Sequence, residues 1–379
     1  TKYITKQALI MKIGLAGEIK KEEYRVGLTP SGAAEYLAHG HQVMVESGAG
    51  TGSGFSDAEY AAKGCEIVTD RRKLFDRADM IIKVKEPLTE EYDLFHDGQI
   101  VYTYLHLAAD RVLTEAMLKS RIIGVAYETV TETDGSLPLL APMSQIAGRM
   151  AVQEGAKYLE KPFGGRGMLL GGVPGVAKGK VAILGAGVAG SNACRIAVGM
   201  GADVTILDIS TRRLAEIENV FGNGVKTLYA SPDNVSNAVR EADLVIGAVL
   251  IPGATAPKLV KRSDLAKMKP GAVMVDIASD QGGCFETSHA TYHTDPVFVV
   301  DGIVHYCVAN MPGAVAMTST MALTNVTTRY GLMIADEGIA AAIRRPQLRS
   351  GLNCWCGKLT NQAVAEAHNL PLYSGNLPD

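Results

Sequence analysis

Short apolar runs alternate with helix-spaced apolar positions along most of the chain. Strand-like runs lie at Lys12 to Ala16, Gln42 to Val45, Met80 to Val84, Ile100 to Tyr104 and Ile122 to Ala126. Helical patterns fall between several of them, as at Ser31 to Ala38 and Arg111 to Lys119. Such alternation predicts a parallel sheet wrapped by helices. A mostly helical stretch, Pro142 to Tyr158, leads to the glycine-rich segment Gly164 to Gly175, which reads as a crossing between domains. A second α/β series runs from Lys180 to about Met311, with later strands at Leu244 to Ala248 and Val273 to Ile277. The amphipathic pattern Ser319 to Ile343 reads as one long helix that packs back onto the first domain.

The expected fold is therefore α/β: two doubly wound, Rossmann-like domains with mostly parallel sheets and a cleft between them. Residues 11–140 and 318–379 form a discontinuous substrate domain in this reading, and 141–317 an inserted nucleotide domain. Met11 begins a strand-like run, so residues 1–10 read as upstream or appended sequence.

The stretch from Val181 to Asp208 carries the strongest motif. The apolar run Val181 to Leu184 meets Gly185-x-Gly187-x-x-Gly190; a helical pattern and a second apolar run ending at Asp208 follow. Gly185 permits the tight turn, Gly187 lets the backbone approach a pyrophosphate, and Gly190 lets the helix sit close to its strand. The helix N-terminus offers N–H groups and a positive dipole end to phosphates. A carboxylate at Asp208 accepts hydrogen bonds from a ribose 2′-hydroxyl and repels a 2′-phosphate, which favours NAD over NADP. Arg212 and Arg213 soften that preference, because an arginine here can accommodate a phosphate.

Composition narrows the class. The 379 residues are 47% hydrophobic and 20% charged with net charge −3, which is ordinary for a globular chain. No basic stripe suggests nucleic acid, and no apolar run is long enough to span a bilayer. The first residues lack a signal-peptide pattern. Six cysteines show no framework or zinc spacing, so free thiols in a reducing cytoplasm are expected. His289, His293 and His305 lack a metal spacing and read as structural or surface groups.

Ligands of open parallel sheets bind beyond the carboxyl ends of the strands. Arg25 lies in the loop after the first strand, Lys85 ends MIIKVKEP, His106 ends IVYTYLH, and Asp280 follows VMVDIA. Arg25 can hold a substrate carboxylate in a bidentate fork. Lys85 can polarise a carbonyl oxygen or bind the carboxylate as a point charge. His106 suits general acid–base work, and Asp280 can orient a water or accept a proton. A 2-oxo or 2-amino acid fits these groups. Each has a plainer reading: a surface ion pair for Arg25, a solvated side chain for Lys85, a structural histidine for His106. Lys83 competes with Lys85, and Asp276, more easily placed inside its strand, competes with Asp280.

At these residues the chain resembles the alanine dehydrogenase family. The resemblance runs from Met11 to the last helices through EYRVGLTP, ESGAGTGSGFSD, KVKEP, YLHLAA, LPLLAPMSQIAGRMA, GGRGMLLGGVPGV, MKPGAVMVDIASDQGGCFE and HYCVANMPGAV. It implies NAD-linked, reversible oxidative deamination of L-alanine to pyruvate and ammonia. It implies that Arg25 and Lys85 bind the substrate carboxylate and oxo group, and that His106 and Asp280 form the catalytic pair. The implied NAD contacts, besides Gly185, Gly190 and Asp280, are Ser144, Gly187, Val188, Asp208, Arg213, Ser231, Val249, Leu250, Ile277, Val308, Ala309, Asn310 and Met311. A cytoplasmic homohexamer with no membrane or nucleic-acid partner is implied as well.

Rival readings remain open at this point. The nucleotide-binding subunit of a proton-translocating transhydrogenase would share the fold, but His106 and Asp280 supply amine chemistry it does not need. A dehydrogenase of the saccharopine or opine type would use the same polar groups in a larger pocket. A catalytically silent dinucleotide sensor would be more credible had Arg25, His106 or Asp280 been lost.

Overall fold

The computed structural model describes residues 9–249, 256–279 and 282–375. Leu250 and Asp280 lie outside the described residues, as does most of the 1–10 segment. The chain divides into two compact units, Thr1–Pro142 with Val315–Asp379, and Met143–Ala314.

The first unit begins with six strands: β1 (Lys12–Leu15), β2 (Gln42–Glu46), β3 (Glu66–Val68), β4 (Met80–Ile82), β5 (Ile100–Thr103) and β6 (Ile123–Ala126). They are parallel and lie in the order β6-β5-β4-β1-β2-β3. The chain winds outward through β2 and β3, then returns to β4 on the other side of β1. That reversal makes β1 and β4 the switch point of the sheet, where the loops leaving the carboxyl ends diverge and leave a crevice. Ile13, Leu15, Val43, Val45, Ile81 and Val101 are buried. Burying each such side chain contributes about 1.5–3 kcal/mol.

The second unit contains β7 (Lys180–Leu184), β8 (Asp203–Asp208), β9 (Val225–Tyr229), β10 (Leu244–Gly247), β11 (Val273–Asp276), β12 (Val297–Val300) and β13 (Ile303–Tyr306). Their order is β12-β13-β11-β10-β7-β8-β9, parallel except for β12. The same reversal occurs here between β7 and β10. Two strands late in the chain, β14 (Leu352–Trp355) and β15 (Lys358–Leu359), extend the first sheet antiparallel beyond β6. The sequence pattern showed nothing at Asn353 to Lys358, because such short strands carry no legible period.

Three expectations are corrected. The glycine-rich segment Gly164 to Gly175 is no crossing between domains; it lies wholly within the second unit, and the chain passes from one unit to the other at Pro142–Met143, inside helix Ala141–Tyr158. The helix expected over Ser319 to Ile343 is two, Ala316–Glu337 and Ile339–Ala342. Gly338 breaks it at φ 77°, a conformation that interrupts helical bonding. Strands β4 and β5 end at Ile82 and Thr103, earlier than their apolar runs: Lys83 and Tyr104 still donate to the Tyr102 and Val84 carbonyls, but the Val84 and Leu105 N–H groups turn to the Glu18 and Glu128 carboxylates.

Candidate active site

Arg25, Lys85 and His106 stand on the loops that follow β1, β4 and β5, three adjacent strands of the first sheet. Each is held by a glutamate that accepts its own backbone N–H. Arg25 donates to Glu23 Oε1 at 3.0 Å, Lys85 to Glu18 Oε2 at 3.3 Å, and His106 to Glu128 Oε1 at 2.6 Å. Sequence reasoning missed all three glutamates. Glu23 sits only two residues before Arg25, whereas Glu18 and Glu128 reach N–H groups 67 and 22 residues away, which no spacing rule links to them.

The Arg25 guanidinium is buried and forked onto Glu23, with Nε to Oε1 at 2.7 Å and Nη2 to Oε2 at 2.6 Å. Burial opposes its charge, but the bonds and charge of Glu23 outweigh this and raise its pKa above the ordinary arginine value. Lys85 is partly exposed. Burial of its ammonium lowers its pKa, and the nearby Arg25 lowers it further. Glu86, one residue on, pairs with Lys20. Its burial is outweighed by Lys85, His106 and Lys20, so its pKa lies below the usual carboxylate range. Tyr104, near Arg25, is buried and donates its hydroxyl to the Leu139 carbonyl at 2.5 Å.

The structure separates the two competing lysines. Lys83 is fully buried, 2.8 Å from Glu91 and 3.6 Å from Glu18. Glu91 also pairs with Arg71, which in turn reaches Glu46 at 2.8 Å. Lys83 therefore belongs to an internal charge network under the loops. His106 occupies the left-handed region at φ 50°, uncommon for a residue with a Cβ and frequent at functional sites. Beside it opens a cavity of about 260 Å³ lined by Glu86, Leu88, Thr89, Tyr92, His106 and Asp110.

In the second unit the turn after β7 has the geometry its glycines require. Gly185 has φ 105°, and a Cβ on Gly190 would lie 1.8 Å from the Gly185 carbonyl oxygen. A Cβ on Gly187 would meet open space, so here the glycine leaves room on the outer side of the turn. Gly187 caps helix Val188–Gly199, whose first N–H groups have no intrahelical acceptor. Asp208 ends β8 and accepts the Ala186 N–H at 2.6 Å and the Ser210 N–H at 2.7 Å. Its carboxylate is thereby aimed at the glycine turn.

The remaining sequence candidates are placed as follows. Val188 is exposed on the helix after the turn. Arg213 is exposed and bonds Glu216 at 3.1 Å. Ser231 caps helix Pro232–Glu241 and accepts the Asn234 N–H at 3.3 Å. Val249 follows β10, and its Cγ2 would lie 3.0 Å from a Cβ on Gly185. Ile277 is half-buried just past β11. Ser144 lies in the first turns of helix Ala141–Tyr158. Val308 and Met311 are buried, and Ala309 and Asn310 are half-buried. Asp276 is an internal acceptor for Ser288 Oγ and the Ala278, Cys284 and Phe285 N–H groups, with its pKa raised by burial. These bonds organise the segment after β11.

Two doubly wound α/β units, one with a cationic site over its switch point and one with a dinucleotide-type glycine turn, place the chain among oxidoreductases of the two-unit kind. Family models described as "Alanine dehydrogenase/PNT, N-terminal domain" and "Alanine dehydrogenase/PNT, C-terminal domain" match residues 14–147 and 151–362. An alanine dehydrogenase of Methanococcus maripaludis is 55% identical over 363 residues, 95% of this chain and 97% of the relative. One from Halomonas elongata is 55% identical over 361 residues, with the same coverage of both chains. A solved L-alanine dehydrogenase matches with TM-score 0.92 at 49% identity, covering 95% of this chain and 99% of the other. A solved transhydrogenase from Sinorhizobium meliloti matches with TM-score 0.79 at 26% identity, covering 93% and 99%. The chain belongs to the alanine dehydrogenase family.

Proposed function

We propose that this protein catalyses the reversible, NAD-dependent oxidative deamination of L-alanine to pyruvate and ammonia. The observation that carries the reading is the placement of Arg25, Lys85 and His106 on three adjacent loops at one switch point. Family membership supports it independently.

The residues present fit a dinucleotide. Open space at Gly187 and the free helix turn behind it suit a pyrophosphate, and Asp208 has acceptor capacity left for a ribose hydroxyl. Gly185, Gly187, Val188, Gly190 and Asp208 would hold NAD, with Arg213, Ser231, Val249, Ile277 and Val308 to Met311 around it. Ser144, Leu250 and Asp280 join that set by family motif. Ser231 would contribute while serving as a helix cap. Bound there, NAD supplies the acceptor for the hydride that leaves the alanine Cα.

This chain's own residues do the rest. Arg25, fixed by Glu23, fastens the substrate carboxylate. Loss of hydride from the neutral amine leaves an iminium carbon that water attacks. His106 or Asp280 takes the proton from that water and later returns one to the departing amine. Lys85 stabilises the emerging ketone oxygen, which suits a cation set beside Arg25 in a partly desolvated loop. A soluble cytoplasmic homohexamer completes the reading, drawn from the family resemblance.

Absorbance at 340 nm tests it. Purified protein with L-alanine and NAD should produce NADH, and NADP should serve poorly. The reverse run pairs NADH and ammonia with pyruvate. Clear NADH binding with no alanine or pyruvate turnover would shift the reading to a larger 2-amino acid or a transhydrogenase-like role.

A further inference from the structure

We propose that Glu18 is a positioning residue: its buried carboxylate continues the β1–β4 pairing by side chain and sets where Lys85 stands. The assignment of pyruvate as the probe rests on the function proposed above. The register of β1 and β4 ends at Leu15 opposite Ile82, and the Ala16 N–H to Ile82 carbonyl bond, at 3.3 Å, follows it. Past that point the chain after β1 turns away toward Arg25. The Val84 and Lys85 N–H groups would face a gap left by the departing strand. Glu18 fills it, with Oε1 accepting from Val84 at 2.7 Å and Oε2 from Lys85 at 3.3 Å. One carboxylate thus ties the loop that carries Arg25 to the loop that carries Lys85.

The arrangement needs two acceptors on one rigid plane. A glutamine has one acceptor and one donor, so one of its arms would face an N–H with another N–H. An aspartate keeps the charge near Lys83 but is one methylene shorter, so it withdraws from the Lys85 backbone. That difference separates positioning from simple neutralisation of Lys83, which lies 3.6 Å away. The cost of the arrangement is visible in Glu18 itself, where burial pushes the carboxyl pKa upward against the pull of Lys83 and the Val84 N–H. A buried carboxyl group is unfavourable unless nearby charge and hydrogen bonds compensate its desolvation, as Lys83 and the two N–H groups do here.

The test uses Glu18→Gln and Glu18→Asp in the full-length protein. Pyruvate KM should rise roughly tenfold in both, because small misplacements of a binding group are amplified in reactivity. NADH binding, read by fluorescence titration, should be unchanged. A second readout needs no turnover: reductive methylation with ¹³C-formaldehyde, followed by NMR titration of the Lys85 dimethylammonium resonance, identified by its loss in Lys85→Arg. Its titration midpoint should move in both variants. Should Glu18→Asp keep the parental pyruvate KM and Lys85 midpoint, Glu18 only balances Lys83 and the proposal fails. If the parent shows no pyruvate turnover at all, the proposed function fails while the NMR midpoint still decides the role of Glu18. Should Glu18→Gln not fold, Glu18→Asp alone carries both outcomes.

Discussion

Glu128 Oε1 accepts the backbone N–H of His106 at 2.6 Å, and the same carboxylate takes the Leu105 N–H at 3.2 Å. His106 is pinned by these bonds at φ 50°, so the imidazole leaves β5 in a direction that an extended residue could not give it. Two substitutions separate direction from chemistry. His106→Asn tolerates the left-handed backbone and should leave the melting temperature near that of the parent while kcat falls about 10²–10⁴-fold. Glu128→Ala orphans two N–H groups and should cost about 1–3 kcal/mol of stability, with kcat reduced more than pyruvate KM is raised. A Glu128→Ala protein with parental kcat would show that the pinned backbone is irrelevant to turnover.

Lys85 should impose an alkaline limit on pyruvate binding. Burial and Arg25 depress its pKa, so the ammonium is lost at lower pH than in an ordinary lysine. Pyruvate KM is expected to climb as pH rises through that depressed value, and Lys85→Arg should remove this limb of the profile. Stability runs the other way. Between the folded value and the ordinary lysine value the unfolded chain binds more protons, so the contribution of Lys85 to stability rises with pH. Lys85→Met should therefore match or exceed the parental melting temperature at neutral pH while raising pyruvate KM roughly tenfold to a hundredfold. A Lys85→Met protein markedly less stable than the parent would contradict this account.

Two glycines of one motif should fail differently. A Cβ on Gly190 meets the Gly185 carbonyl oxygen at 1.8 Å, so Gly190→Ala must push the helix off its strand. The expected loss is about 1–3 kcal/mol, read by urea denaturation. Gly187 has φ −71° and open space around its missing Cβ, so Gly187→Ala should fold normally. NADH affinity, measured by fluorescence, should drop for Gly187→Ala because the methyl occupies the approach to the pyrophosphate. Equal denaturation midpoints for the two variants would refute the distinction.

Asp208 links cofactor choice to the shape of the turn. Its two oxygens hold the Ala186 and Ser210 N–H groups, so Asp208→Ala should disturb the glycine turn as well as remove charge. Asp208→Asn keeps one acceptor and should give the cleaner effect. The ratio of kcat/KM for NAD over NADP is expected to fall by roughly tenfold or more, as repulsion of a 2′-phosphate disappears. An unchanged ratio would mean that Asp208 serves the turn alone.

Much of this protein was determined by the sequence itself. Apolar runs of strand length separated by helix-spaced positions specify parallel α/β units, since only strands covered on both faces bury such runs. The GxGxxG turn and the terminal acid of β8 were legible because their chemistry is local: a positive φ, a close approach and a helix start all fall within a few residues. That Arg25, Lys85 and His106 stand in the loops beyond strand ends was legible from the apolar runs that precede them. Tertiary structure alone decided the rest. Lys83 and Lys85 are two residues apart and chemically identical; only the buried carboxylates of Glu18 and Glu91 reveal that Lys83 is tied into an internal charge network while Lys85 stays partly exposed. Glu18, Glu23 and Glu128 carry no pattern of their own, because a carboxylate that accepts a backbone N–H is defined by its partner. For Glu18 and Glu128 that partner comes from a different segment of the chain, brought within 3.3 Å by the order of the strands.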